Sequence, residues 1–458
     1  MKRAFLTLGA MTALSACDMA PHYVRPAPPV PASFPSGPAY VPAAATERPG
    51  LPWTALVGDP RLRTVIDRAL ADNRDLRAAL ATIEAARAQY RIQRAAQLPA
   101  VTGEASANFS RRNDNRQDSY SADIGFSAFE IDLFGRVKNL SRSALESYLA
   151  TEEGARATRI ALIAETASAY ATLAADQELL ALSRQTLASA ERSLALTRSL
   201  NGAGLRGKLD VHQAETIVEQ ARSDIAANVT QVAQDRNALD LLAGAPVEDA
   251  LLPQSLESLT GTIAKVPAGL SSDVLLQRPD VLEAEHQLKA ANADIGAARA
   301  AMFPKISLTA AIGVASSALS SLFTGGGFAW SAAPSASLPI FGGGARGNLD
   351  YSKAQRDLTL ARYEKAIQTA FREVSDALAR EGTIDDQQAA QQRLVLASQR
   401  SYALAEERYR AGIDTFLNSL TSQRNLYNAR QSAIATDLAL VRNHIQLYRV
   451  IGADFQDP

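Results

Sequence analysis

The stretch VTGEASANFS, residues 101–110, alternates without a break. Val101, Ala105, Ala107 and Phe109 fall on one side of an extended chain, and Thr102, Glu104, Ser106, Asn108 and Ser110 on the other, because successive strand side chains point to opposite faces. YSADIGFSAF, residues 120–129, sets Tyr120, Ala122, Ile124 and Phe126 against Ser121, Asp123 and Ser127. Far downstream, Ile306, Leu308, Ala310 and Ile312 alternate with Ser307 and Thr309. Phe328, Trp330, Ala332, Ala336 and Leu338 alternate with Ser331, Ser335 and Ser337. Segments of about ten residues, apolar on one face and small-polar on the other, suit a barrel strand with lipid outside and water inside. One such strand would equally fit a sheet laid over a core; four in two remote hairpins favour the barrel. Four strands cannot close a barrel, which needs about eight, and an open edge in hydrocarbon is prohibitive. Several chains must therefore share one barrel, and three copies of four strands would supply about twelve.

The rest of the chain reads as helix, twice over. Leu209 to Gly244 aligns without gaps on Leu417 to Gly452, a shift of 208, matching Ala221-Arg222 with Ala429-Arg430 and Leu239 with Leu447. Arg94-Ala95-Ala96 and Pro99 answer Arg299-Ala300-Ala301 and Pro304 at a shift of 205, and Asp132 to Gly135 answers Pro339 to Gly342 at 207. Three blocks at nearly one offset mark a duplication. The first repeat, 61–244, is expected to hold helices over about 62–97, 136–200 and 209–243 and strands over about 101–111 and 120–131. The second, 276–458, is expected to hold helices over about 279–303, 345–411 and 417–451 and strands over about 305–313 and 328–339. Leu62, Ile66, Ala69, Asn73, Leu76, Leu80 and Ile83 step by fours and threes, a seam for packing against neighbouring helices. Residues 136–200 hold no proline and one glycine, Gly154; at ~1.5 Å per residue such a helix reaches about 100 Å and needs lateral partners.

Lys2 and Arg3, an apolar run from Ala4 to Leu14, and small residues before Cys17 give the layout of a secretory leader, 1–16. Leu14-Ser15-Ala16-Cys17 resembles the bacterial lipobox, in which the cysteine is lipidated and becomes the first mature residue. Cys17 is the only cysteine of 458 residues, so a disulfide framework and a cysteine zinc cluster are excluded. Eleven of the twenty prolines lie between Pro21 and Pro60, which makes 17–60 an extended arm able to wrap a neighbour. Residues 245–275, with Pro246, Pro253 and Pro267, read as a connector between the repeats.

A net charge of −1 carries no bias toward nucleic acid. Gly342 to Gly347 matches the glycine spacing of a dinucleotide site. The preceding strand alternates with serine, however, and no parallel βαβ pattern surrounds it, so the glycines read as a bend from strand into helix. The four histidines have no pairing that would make a metal site, and no hydrolase or P-loop motif occurs. Glu283 and Glu285, on a helix, read as a solvated face. No cofactor and no enzyme activity are expected.

The leader, the duplicated helix–hairpin–helix unit, and the segments ARAAMFPKISLTAAIG (298–313), AWSAAPSASLPIFGGGARGNLDYSKAQ (329–355) and ERYRAGIDTFLNSLTSQRNLYNARQ (407–431) together resemble the TolC-like outer-membrane efflux proteins, specifically the NodT/OprM-type lipoproteins. The resemblance implies a mainly helical fold with transmembrane β-structure. It implies a homotrimer with a twelve-stranded outer-membrane barrel and a long periplasmic helical barrel, the arm and the connector forming an equatorial region. It implies passive conduction of drugs, metals or other small solutes, with a periplasmic adaptor (membrane fusion) protein and a proton-driven inner-membrane pump of the RND type as partners. A duct for secreted polypeptides is the alternative within this class; a periplasmic adaptor or a structural lipoprotein fits less well, since two equal halves carry only four strands.

The gate should lie where helices turn back, at 201–208 and 411–416, whose Gly204 and Gly412 are repeat equivalents suited to positive φ. The resemblance carries an apolar ring onto Leu417, two commonly acidic positions onto Asn418 and Thr421, and a basic one onto Arg424. The acidic pattern is therefore absent, and Asp210 and Asp414 are the acids left near the turns. The expectation is a weaker electrostatic gate, held by Leu417 and by polar contacts among Asp210, Arg424 and neighbouring chains. Asp18 also departs from the pattern: Asp directly after the lipidated cysteine favours the inner membrane in enteric bacteria, while the barrel directs the chain outward.

Overall fold

The computed structural model describes residues 18–40, 52–112, 115–264, 271–324, 327–341 and 343–452. Cys17 and the leader lie outside the described residues. In chain order the main elements are α1 (Pro60–Asp72), α2 (Arg74–Ala95), β1 (Thr102–Arg112), β2 (Asn115–Glu130), α3 (Arg136–Gly202), α4 (Lys208–Ala243), α5 (Pro279–Ala300), β3 (Lys305–Ser316), β4 (Gly327–Ser337), α6 (Ala345–Arg410) and α7 (Phe416–Ile451). None of the described helices is long and apolar enough to cross a membrane. The chain divides into two units: Met1–Pro28, Leu80–Gly154 and Asp280–Ala366 form one, and Pro29–Ala79, Ala155–Pro279 and Ile367–Pro458 the other. The boundary falls within α2, α3 and α6.

The first unit is built on the strands. The two hairpins join into one antiparallel sheet in the order β1-β2-β3-β4, with β2 of the first repeat bonded to β3 of the second. The register lines up Ala105, Ala122, Val314 and Phe328 across the sheet, and Gly103, Ile124, Ile312 and Trp330 in the next row. These rows make a continuous apolar face, and Ile124, Ile312, Phe328 and Trp330 all stay more than half exposed on it. The opposite face carries Glu104, Ser106, Ser121 and Asp123, with hydroxyl pairs Ser106–Ser121 and Ser307–Ser335 each at 2.8 Å. β1 and β4 are edges within the chain.

Alternation alone would put Phe126 and Phe129 on opposite faces. The ladder slips between them. Ala128 takes φ 51°, and its N–H donates to the Thr309 hydroxyl at 3.0 Å. This bulge consumes one residue, so both rings return to the apolar face, edge to face at 6.1 Å.

Glu285 does not form the solvated face expected of it. It is 2% exposed and accepts from the Tyr23 hydroxyl at 3.1 Å and from Arg25 at 3.0 and 2.5 Å, with Lys289 at 3.1 Å. These cations hold its carboxyl below the usual range although burial opposes them. The arm is thereby fastened to α5 of its own chain. Asn292 donates to the Pro21 carbonyl at 2.7 Å, and Gly296 lies so close to Ala20 that a Cβ there would sit 2.8 Å from its backbone. Asp18 accepts from Ala20 N–H and from the buried Asn139 amide, both at 3.0 Å.

The second unit is helical. Asp59 caps α1, accepting from Arg61 and Leu62 N–H at 2.7 and 3.3 Å, with Pro60 at the first helical position. The single helix expected over 62–97 divides at Asn73, which sits at ψ 132°. Its side chain accepts from Asp75 and Leu76 N–H at 2.9 and 3.0 Å and donates to the Leu242 carbonyl at 3.0 Å. The residue assigned to the helical seam is thus the cap that ends one helix and starts another. α4 and α7 end on Gly244 and Gly452, both left-handed; a Cβ at Gly244 would meet the Asp72 backbone at 2.6 Å. α3 and α4 bring Asp176 to Asp235. Burial, and the hydrogen bond with the Asp235 carboxyl, push Asp176 up to about 7 from an ordinary 3.8.

Between about pH 4 and 7 the folded chain keeps a proton there that the unfolded chain has released, so this contribution is full below pH 4 and lost as pH rises through 7. Asp176→Asn removes the loss. Its unfolding free energy relative to wild type, followed by thermal melts, is expected to rise from pH 5 to pH 8 by on the order of 1 kcal/mol after discounting for solvent screening. A difference independent of pH would contradict this assignment.

Candidate gate at the helix turns

Each long helix of the second unit ends in the same turn. Gly204 N–H bonds to the Asn201 carbonyl at 2.9 Å, and Leu205 N–H reaches back to Leu200 at 2.9 Å. Gly412 N–H bonds to Tyr409 at 3.0 Å and Ile413 N–H to Arg408 at 2.9 Å. This is the Schellman pattern, which requires a left-handed residue; Gly204 and Gly412 take φ 73° and 75°. Nothing lies within 4 Å of a Cβ built on either, so backbone conformation alone demands glycine there.

The two turns are fastened together. Arg206 donates to the Asp414 carbonyl at 3.1 Å and lies over the Tyr409 ring at 5.1 Å. Asn201 holds the Arg206 carbonyl at 2.7 Å. Tyr409 is buried, shares a hydroxyl contact with Thr197 at 3.1 Å, and packs on Phe416 at 5.3 Å. Behind them Leu194, Ala214, Val218 and Leu420 form a common core. Sequence reasoning missed Arg206 and Tyr409. The signal was present in an arginine placed between two turn glycines, but its partner lies on the other repeat.

The expected gate residues fall into two groups. Leu417, Asn418, Thr421 and Arg424 share the exposed face of α7, opposite Phe416, Leu420 and Gln423. Leu417 is 55% exposed and is not among the residues of the core behind the turns. Asp414 is instead engaged locally: Arg408 donates to it at 2.8 Å and Asn418 at 3.1 Å. These bonds hold its carboxyl below the usual range. Asp210 stands in the first turn of α4, and no hydrogen bond or ion pair joins it to Arg424 among the described residues.

The family model described as Outer membrane efflux protein matches residues 65–245 and 270–453. The chain belongs to this family. It is an outer-membrane efflux channel, and no enzyme. A toluene efflux pump outer membrane protein and an antibiotic efflux pump outer membrane protein, both of Pseudomonas putida, are each 47% identical over all of this chain and 97% of their own. The open state of the Neisseria gonorrhoeae MtrE outer membrane channel superposes with a TM-score of 0.86 at 35% identity, covering 96% of this chain and 99% of that one.

Arg206→Ala removes both the carbonyl bond and the ring contact that lock the channel's two turns. Backbone exchange at 203–207 and 409–415 is expected to accelerate about tenfold, the equivalent of about 1–2 kcal/mol. Unchanged protection in hydrogen-exchange mass spectrometry would show that the turns hold independently.

Proposed function

We propose that three copies of this channel join β1 of one sheet to β4 of the next, closing a barrel of about twelve strands in the outer membrane. The observation that carries this reading is the four-stranded sheet: the large side chains of its apolar face stay more than half exposed, and no further strand pairs with β1 or β4 among the described residues. A membrane-embedded edge leaves N–H and C=O groups without partners at several kcal/mol each, and a neighbouring copy supplies the missing strand. The long helices then line a tunnel into the periplasm that meets an adaptor protein and a proton-driven inner-membrane pump of the RND type. The channel itself is passive, and the pump supplies the energy. The names of the relatives, toluene and antibiotic efflux, favour small apolar or amphipathic solutes as cargo over secreted polypeptides.

The narrowest point in this reading is the exposed face of α7, with Leu417 as the apolar ring and Asn418, Thr421 and Arg424 around it. Asp414 is committed to Arg408 and Asn418, which supports a gate held less by charge than by apolar closure. Leader 1–16, lipidation at Cys17, an equatorial arm over 17–60 and a connector over 245–275 complete the proposal.

Planar-bilayer recording of the purified protein tests it. Wild type is expected to show discrete conductance steps, and Leu417→Ala to raise single-channel conductance about twofold or more, since a hydrophobic constriction closes by dewetting. Unaltered steps in the variant would move the gate elsewhere; no steps in either protein would remove the channel assembly.

A further inference from the structure

In the second unit, α3, α6 and α7 enclose a cleft of about 60 Å³. Gln185, Thr186 and Ser189 line it from α3, Tyr402 from α6, and Gln423 and Arg430 from α7, over a floor of Leu182, Leu426 and Tyr427. No carboxylate is among these residues. Gln423 is only 8% exposed, and its Nε2 has no hydrogen-bond partner. Arg430 is half-buried, and among the described residues no hydrogen bond or ion pair reaches its guanidinium. A buried amide donor left unmade costs about 1–3 kcal/mol, so the Gln423 amide marks a place for an acceptor, and the unpaired Arg430 guanidinium beside it, still open to solvent, favours one that carries negative charge.

The duplication supplies the internal control. Arg430 is the repeat equivalent of Arg222. Arg222 on α4 is satisfied by two carboxylates, Glu219 at 2.9 Å and Glu191 at 3.2 Å. At the shift of 208, Glu219 becomes Tyr427 and Glu191 becomes Gln399. Glu215, which in the first repeat pairs with Arg198 at 2.8 Å, becomes Gln423 itself. The second repeat has kept the cation and replaced every one of these acids by a neutral residue.

We propose that the cleft at Gln423 and Arg430 binds a carboxylate group supplied from outside its own chain. The guanidinium and the amide are the donor pair a carboxylate needs. The cleft has room for a group as small as a carboxylate. Its volume is far below the roughly 300–1,000 Å³ of a drug-sized site, so the cleft is not a cargo site. The carboxylate comes either from a small free acid or from an acidic side chain of a second copy of this chain. The inference uses only the helical unit and stands or falls separately from the shared barrel.

Acetate, observed by saturation-transfer NMR on the full-length detergent-purified protein, is the probe. Four proteins are compared: wild type, Arg430→Gln, Gln423→Glu, which restores the first repeat's own acid beside Arg430, and Arg222→Gln as the control. For a free acid, acetate is expected to bind wild type and Arg222→Gln equally, with affinity about tenfold lower in the other two. For a second copy's side chain, acetate fails to bind wild type. Arg430→Gln then lowers the thermal dissociation temperature of the oligomer, and Arg222→Gln does not. Acetate binding that is indifferent to Arg430 and Gln423 would overturn the proposal. So would no acetate binding together with dissociation temperatures that Arg430→Gln leaves unaltered, since the cleft would then hold only water.

Discussion

Pairing of β2 with β3 is the interaction on which the rest depends. It joins strands from the two halves of a duplicated chain into one sheet, and so fixes how many strands a copy carries and how many edges it leaves. With that ladder formed, the apolar rows run unbroken across all four strands. The same ladder forces the irregularity at Ala128, because Phe126 and Phe129 are spaced for opposite faces. An apolar face with free edges is tolerable only where lipid covers the face and another strand covers the edge. The family membership and the sheet thus meet in one physical requirement.

Duplication does the rest of the architectural work, and its residues divide by how local their duty is. Positions required by backbone geometry are kept in both copies: Gly204 with Gly412, and Gly244 with Gly452, all left-handed. Gly135 and Gly343 share φ 75° as well, which makes the glycine run before α6 a bend into a helix. Positions that meet the other repeat have diverged. Arg206 has Asp414 as its repeat equivalent, and the two now face each other, guanidinium to carbonyl, across the turns. A duplicated pair of turns has become a complementary pair.

What was legible in the sequence follows the same division. Strand alternation, the long proline-free helices and the turn glycines are short-range signals, and each can be read within a few residues. Asn73 was misread because its spacing fits the seam, while its role as a cap depends on the Leu242 carbonyl far along the chain. Glu285 was misread because the charges that bury it, Arg25 and Lys289, include one from the arm. Arg206 and Tyr409 were missed for the same reason: a cross-repeat contact leaves no periodicity. In the gate, the exposed stripe of Leu417, Thr421 and Arg424 follows from helical spacing, but whether Asp414 was free or engaged could be learned only from the folded turn.

The sheet edges offer the most direct test. Cysteine placed at Ser110 in β1, paired with a scan of single cysteines along 327–337 in β4, reports whether those edges meet between copies. The account predicts disulfide-linked dimers and trimers on a denaturing gel, at alternate β4 positions only, because a paired strand presents every second side chain to a given face. A monomer band at every position, or cross-links without alternation, would contradict it.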